Sequence, residues 1–177
     1  LWDRQQVGDR LDVARYLHPK AEPELVYVAA EALGPAPSPQ DVVAACAGWA
    51  LAIEIVDPRF ESYDMRFEDN TADNSSASGF AMGPVRTPSE LGAGFDPASV
   101  EVTFSDGTES RSGVSAAAMG SPAVAVAWLA ERLATEGRRV EAGHLVLTGG
   151  LTAPFDVVAG RSYDVSSFGL PGVGFES

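Results

Sequence analysis

The chain has 177 residues, of which 45% are hydrophobic and 21% charged, and a formal net charge of −13. That is enough material for one domain with a real core, and the acid excess excludes a basic nucleic-acid footprint and argues against anionic membrane surfaces. A single cysteine, Cys46, leaves no intrachain disulfide. No apolar run reaches the ~18 residues of a membrane span, and no basic-then-apolar leader opens the chain, so a cytoplasmic protein is expected. The start at Leu1-Trp2-Asp3, without Met, reads as a processed, truncated or renumbered chain.

Residues 1–18 are polar and mixed and read as an approach segment. Residues 24–30 are rich in β-formers and predict a strand, broken by Gly34-Pro35-Ala36-Pro37. Ser38-Pro39 combines a cap with a proline suited to the first helical position, predicting a helix to about Ala47 with Gly48 as its stop. Residues 49–57 predict a buried strand interrupted by one carboxylate, Glu54. Residues 58–76 are polar and irregular, and a loop of that length is more often functional than idle. A short strand is predicted over 77–83, then a Pro- and Gly-spaced connection over 84–97. Residues 100–104 alternate, Asp106-Gly107 marks a hairpin turn, and 109–115 return. Ser121-Pro122 opens a helix over 122–136, with Val124, Trp128 and Leu129 expected on one face and Gly137 just past its end. Short strands follow over 144–148, 154–158, 161–166 and 171–176. The sum is one α+β domain over residues 1–177, a β-rich mixed sheet rolled into a barrel-like core with two or three helices.

Three carboxylates invite chemistry. Glu22 and Glu24 lie two apart in an extended stretch and so share a face. Side by side they repel, and each resists ionising unless a cation sits between them; a solvated strand end is the plainer alternative. Glu54 is flanked by Leu51-Ala52-Ile53 and Ile55-Val56, where an ionised carboxylate costs several kcal/mol unless paired. An ion pair with an arginine such as Arg59 satisfies it, and so does a hard cation. Three carboxylates plus water or substrate oxygens suit Mg²⁺ or Mn²⁺, whereas His18 and His144 lack zinc-like spacing.

The stretch His18-Pro19-Lys20-Ala21-Glu22-Pro23-Glu24-Leu25 resembles the metal-binding strand of the hydratase and decarboxylase branch of the fumarylacetoacetate hydrolase superfamily. Ala52-Ile53-Glu54-Ile55-Val56-Asp57-Pro58-Arg59 resembles the strand that carries the third ligand, with Pro58 replacing a small polar residue. Ala72-Asp73-Asn74-Ser75-Ser76 and Leu147-Thr148-Gly149-Gly150-Leu151-Thr152 resemble two substrate-side loops, and Gly169 to Phe175 has the character of the family terminus. The segments occur in the family order and span residues 16–177. The resemblance implies the superfamily's C-terminal-like core without its N-terminal lid region, the usual source of an acid–base lysine. It implies Mg²⁺ or Mn²⁺ on Glu22, Glu24 and Glu54. It also implies contact of Asn74, Ser75, Ser76, Thr148, Gly149 and Gly150 with a small anionic 2-oxo acid, and assembly as a homo-oligomer. The implied activity is that of a metal-dependent carbon–carbon or carbon–oxygen lyase, decarboxylase-like on 4-oxalocrotonate (2-oxo-3-hexenedioate). A 2-oxopent-4-enoate hydratase-like activity, or a non-catalytic or biosynthetic member, is the alternative.

Overall fold

The protein is described from a computed structural model covering residues 9–177; the Leu1-Trp2-Asp3 start and the first part of the expected approach segment lie outside the described residues. In chain order the strands are Lys20–Ala29 (β1), Cys46–Val56 (β2), Ala77–Met82 (β3), Glu101–Ser105 (β4), Ser110–Val114 (β5), Leu145–Leu147 (β6), Phe155–Asp156 (β7), Ser162–Ser167 (β8) and Val173–Glu176 (β9). The α-helices are Pro39–Ala44 (α1), Phe67–Ala72 (α2), Pro88–Leu91 (α3) and Pro122–Ala134 (α4). One antiparallel sheet runs β3-β2-β1-β6, with β7 also on β1; a second runs β5-β4-β8-β9.

The two-residue period of β1 and β2 divides their side chains between two environments. Leu25 and Tyr27 of β1, with Trp49, Leu51, Ile53 and Ile55 of β2, face Val102, Phe104, Tyr163, Val165 and Phe175 of the second sheet and Val126 and Ala130 of α4 in one core. Tyr27 and Trp49 meet edge to face at 5.5 Å. The opposite face of the first sheet carries a smaller cluster of Val26, Ala50 and Ala52, flanked by Met82, Val85, Leu145 and Leu147. Glu22, Glu24 and Glu54 continue those same rows. Burying each large core side chain stabilises the fold by about 1.5–3 kcal/mol. A one-residue slip of β1 would put Leu25 and Tyr27 on the wrong face, so core packing locks the register of the carboxylates.

The β-rich α+β expectation holds, with local differences. β1 begins at Lys20, so Glu22 and Glu24 lie inside it. α1 stops at Ala44, and Cys46 to Gly48 already belong to β2. Gly48 is there because the chain at Arg86 crosses β2: a β-carbon on Gly48 would lie 2.5 Å from the Arg86 carbonyl oxygen. The buried stripe of α4 is Ala123, Val126 and Ala130, while Trp128 is exposed. Small residues let this helix sit close to its neighbours, and the largest side chain was a poor guide to the buried face. α2 falls inside the expected irregular loop, because Phe-Glu-Asp-Asn-Thr-Ala has no apolar period. α3 falls in the expected connection and carries a readable signal, a Thr87–Glu90 capping box with Pro88 at its start.

Candidate metal centre

Glu22 of β1 stands directly opposite Glu54 of β2, and Glu24 stands opposite Ala52. A carboxylate oxygen from each of Glu22, Glu24 and Glu54 can be chosen so that all lie within 4.8 Å of one another. The third wall comes from the loop after β6. Between β6 and β7 the edge of β1 has no strand partner, and residues 148–151 dock there. The Thr148 hydroxyl donates to the Leu25 carbonyl at 2.7 Å, and the Leu151 N–H donates to the Pro23 carbonyl at 2.9 Å. The carbonyl of Pro23 faces this gap and so does its nitrogen, so the N–H it lacks is missing where no ladder partner needs it. Docking brings the Gly149 N–H to Glu24 Oε2 at 2.8 Å. Gly149 has φ +114°, a left-handed-side conformation that favours glycine.

The electrostatics are strained in one direction. Glu24 is 2% exposed. Its carboxyl is pushed well above the usual range by burial, then by the Glu54 charge, against the Gly149 N–H, with a hydrogen bond to Glu54 and the Glu22 charge adding to the rise. Glu54 is pushed up to about 7, mainly by burial, with Glu22 adding repulsion and the shared bond to Glu24 opposing it. Glu22 is raised by burial and partly relieved by Lys20. Burial and the crowding of like charges thus favour the neutral form most strongly at Glu24. A hard dication answers this arrangement: it takes oxygen donors and cancels the mutual repulsion. Three carboxylate oxygens leave half of an octahedron open, so the donor set fits Mg²⁺ or Mn²⁺. The expected alternative for Glu54, an arginine pair, is not how Arg59 is used. Arg59 pairs with Asp73 at 3.3 Å and donates to the carbonyls of Asp57 and Ala77.

Asn74, Ser75 and Ser76 form a tight turn with φ of 57°, 53° and 60°. A non-glycine residue in that region costs about 1–3 kcal/mol, and the surroundings hold it. Ser76 is buried, its hydroxyl donates to Asp73 at 3.1 Å, and its carbonyl accepts from the Asp57 N–H at 2.8 Å. Because Ala77 pairs with Val56, the turn sits at the end of β2 nearest Glu54. Asn74 and Ser75 are exposed there, whereas Ser76 and Thr148 are buried and hydrogen-bonded within the fold. Asp57 accepts the N–H groups of Leu17 and His18, at 3.0 and 2.6 Å, so it ties the chain before β1 to the end of β2. Sequence reasoning missed Tyr63, whose hydroxyl lies within 3.1 Å of the His18 and Val56 carbonyls; an aromatic in an irregular loop carries no positional signal. It also left Lys20 without a task, although Lys20 shares the strand face of Glu22 and Glu24.

No family model matches the chain. The chain is 36% identical over 147 residues to 4-oxalocrotonate decarboxylase from Pseudomonas sp, covering 82% of this chain and 56% of that protein. It is 33% identical over 167 residues to 2-hydroxyhexa-2,4-dienoate hydratase from Comamonas testosteroni, covering 90% and 60%. The fold matches the structure of 4-oxalocrotonate decarboxylase from Pseudomonas putida G7 complexed with magnesium and adipate, with a TM-score of 0.88 and 31% identity over 96% of this chain and 64% of that one. A fumarylpyruvate hydrolase from Pseudomonas aeruginosa shares the fold at TM-score 0.70 and 16% identity. The chain thus spans less than two thirds of the length of these decarboxylase and hydratase relatives. The acidic cluster lies on the same strand pair that the sequence resemblance singled out, and these relatives support placing the chain, over the part of their length it spans, in the hydratase and decarboxylase branch of the fumarylacetoacetate hydrolase superfamily.

Proposed function

We propose that Glu22, Glu24 and Glu54 hold one divalent cation, Mg²⁺ or Mn²⁺, and that the chain is the core of a lyase acting on a small anionic 2-oxo acid. Its activity in this reading is decarboxylation of 2-oxo-3-hexenedioate or a close analogue. The observation that carries the reading is the convergence of three carboxylates, one of them almost wholly buried, on one side of the β1–β2 pair. Support also comes from the decarboxylase relative of known structure, which is complexed with magnesium.

Bound there, the cation supplies a Lewis acid that stabilises negative charge growing on the keto oxygen of the substrate. The chain's own residues set the geometry. The Gly149 N–H fixes one oxygen of Glu24, and the Thr148 hydroxyl pins the loop that carries it. Asn74 and Ser75, with Ser76 behind them, offer hydrogen-bond donors for a substrate carboxylate. Gly149 and Gly150 let backbone approach an anion closely. In a vinylogous 2-oxo acid a C=C conjugated to the keto group links it to the carbon that bears the departing carboxylate, so the electron pair of the broken C–C bond is delocalised onto the keto oxygen and loss of CO₂ needs orientation and charge stabilisation more than a strong base.

The second reading, addition of water to a dienoate, is favoured by the hydratase relative at 33% identity, and it demands proton delivery and an activated water. Product analysis separates the two: with Mg²⁺ present, 2-oxo-3-hexenedioate releases CO₂ in the first case, and 2-hydroxypenta-2,4-dienoate gains water in the second. A metal-loaded chain that gives neither product sets both aside in favour of a non-catalytic or biosynthetic member. Among the described residues no helix is long and apolar enough to cross a membrane, and we take the site to be cytoplasmic. Exposed Phe67, Trp128 and Phe168 support self-association as a homo-oligomer, which sedimentation of the pure chain tests.

A further inference from the structure

Arg111 stands where a sheet ordinarily carries an apolar side chain. It is the register partner of Phe104, and opposed residues of an antiparallel pair share a face, so Arg111 lies on the side of β5 that turns toward the core. Its ion-pair partner is Glu109, at 2.8 Å and itself 61% exposed. The rest of the guanidinium is spent on the segment that continues the metal loop. Nη1 donates to the carbonyl of Ala153 at 3.2 Å and to that of Pro154, and the central carbon lies 3.8 Å from the centre of the Phe155 ring. Gly113, two residues on and on the same face, extends the contact. A β-carbon there would come 2.8 Å from Thr152 Cγ2 and closer still to the Leu151 carbonyl oxygen. On its other side the segment is fixed to β1, where the Leu151 N–H donates to Pro23 at 2.9 Å and Phe155 pairs with Ala21. Residues 151–155 are therefore gripped between the two sheets. The grip begins two residues from Gly149, whose N–H holds Glu24 Oε2.

We propose that Arg111 is a positioning residue for the metal centre, and that by stiffening the loop that holds Glu24 it tilts the three glutamates toward Mg²⁺ and against Ca²⁺. The inference rests on the metal reading above. Rigidity is the lever. Mg²⁺ demands a near-ideal octahedron of oxygens at ~2.0–2.1 Å, whereas Ca²⁺ accepts a looser and larger set at ~2.3–2.6 Å. A cage whose carboxylates can spread loses affinity for the smaller ion first. Glu24 is kept from spreading by one N–H on a loop, and that loop is only as firm as its hold on the second sheet. The guanidinium suits the task because it is planar and always charged. Glu109 fixes one nitrogen, another serves the two carbonyls, and the flat face rests on Phe155. A lysine keeps the charge but loses the plane and the second nitrogen.

The test titrates Mg²⁺ and Ca²⁺ calorimetrically, in separate runs, into the full chain and its Arg111 variants, with thermal melting of each metal-free protein alongside. Arg111→Met is expected to lose about tenfold in Mg²⁺ affinity but only about twofold in Ca²⁺ affinity, so that the ratio of the two falls about fivefold. Arg111→Lys is expected to give a ratio between those of the wild type and Arg111→Met. An Arg111 that serves stability alone lowers the melting temperature and leaves the ratio unchanged. That result, with both affinities reduced alike or neither reduced, overturns the proposal and leaves the metal site standing. If Arg111→Met does not fold, Arg111→Lys decides by the same ratio, with a value equal to that of the wild type overturning the proposal. A wild type that binds neither cation overturns the metal reading together with the role of Arg111.

Discussion

Gly150 stands against Glu22: a β-carbon placed on Gly150 would come within 3.0 Å of Glu22 Oε2. The loop after β6 therefore shapes two of the three carboxylates, holding Glu24 by the Gly149 N–H and confining Glu22 by the bareness of Gly150. Gly150→Ala should push the Glu22 carboxylate aside by a few tenths of an ångström. Because Gly150 is not at positive φ, the fold should survive. We expect Mg²⁺ affinity to fall about tenfold, read by calorimetric titration, with the melting temperature of the metal-free protein little changed.

The metal-free protein should lose stability as pH rises. The Glu54 carboxyl is held at about 7 in the fold, above its ordinary 4.5, and Glu24 is raised too. Between those values the folded state keeps protons that the unfolded chain has shed. Stability gained from these groups is therefore full at the acid end and lost as pH climbs through the folded pKa, by on the order of 2 kcal/mol. Melting in the presence of a chelator from about pH 4.5 to pH 7 checks this. Glu54→Gln should flatten the slope, and the added stability from Mg²⁺ should grow with pH because the metal binds the ionised carboxylates.

Much of this was legible in the residues. The two-residue period of an extended chain put Glu22 and Glu24 on one side, and the apolar neighbours of Glu54 announced that its charge had to be answered. The direct opposition of Glu22 and Glu54 was not legible, because it depends on register, which is set by Tyr27, Trp49 and the other core residues packing on the far face. Nor was the docking of Thr148 to Leu151: strands over 144–148 and 154–158 are readable, but that both pair with β1 and leave its edge open between them depends on tertiary packing. Gly48 was misread as a helix stop because the reason for a glycine there, the close passage of Arg86, is long-range.

The turn at Asn74 to Ser76 offers a separation of stability from binding. Ser75 is exposed and has φ 53°, so Ser75→Gly relieves left-handed strain and should stabilise the fold by about 1 kcal/mol. If the serine hydroxyl helps to hold the substrate carboxylate, the same variant should bind 2-oxohexanoate a few-fold more weakly in the presence of Mg²⁺. Thermal melting and titration read the two effects independently.

Asp57 should matter for the fold more than for the metal. Its carboxylate accepts two backbone N–H groups, from Leu17 and His18. Asp57→Ala leaves them without their partner and should cost about 2–3 kcal/mol, measured by urea unfolding, with Mg²⁺ affinity per folded molecule close to that of the wild type.

The central claim is tested most directly by growing crystals with Mn²⁺ and oxalate and locating the metal by its anomalous scattering. We expect one peak between Glu22, Glu24 and Glu54, within ~2.2 Å of an oxygen from each, with oxalate on the open side. A peak elsewhere, or an ordered Glu24–Glu54 pair with no metal beside it, would contradict the account.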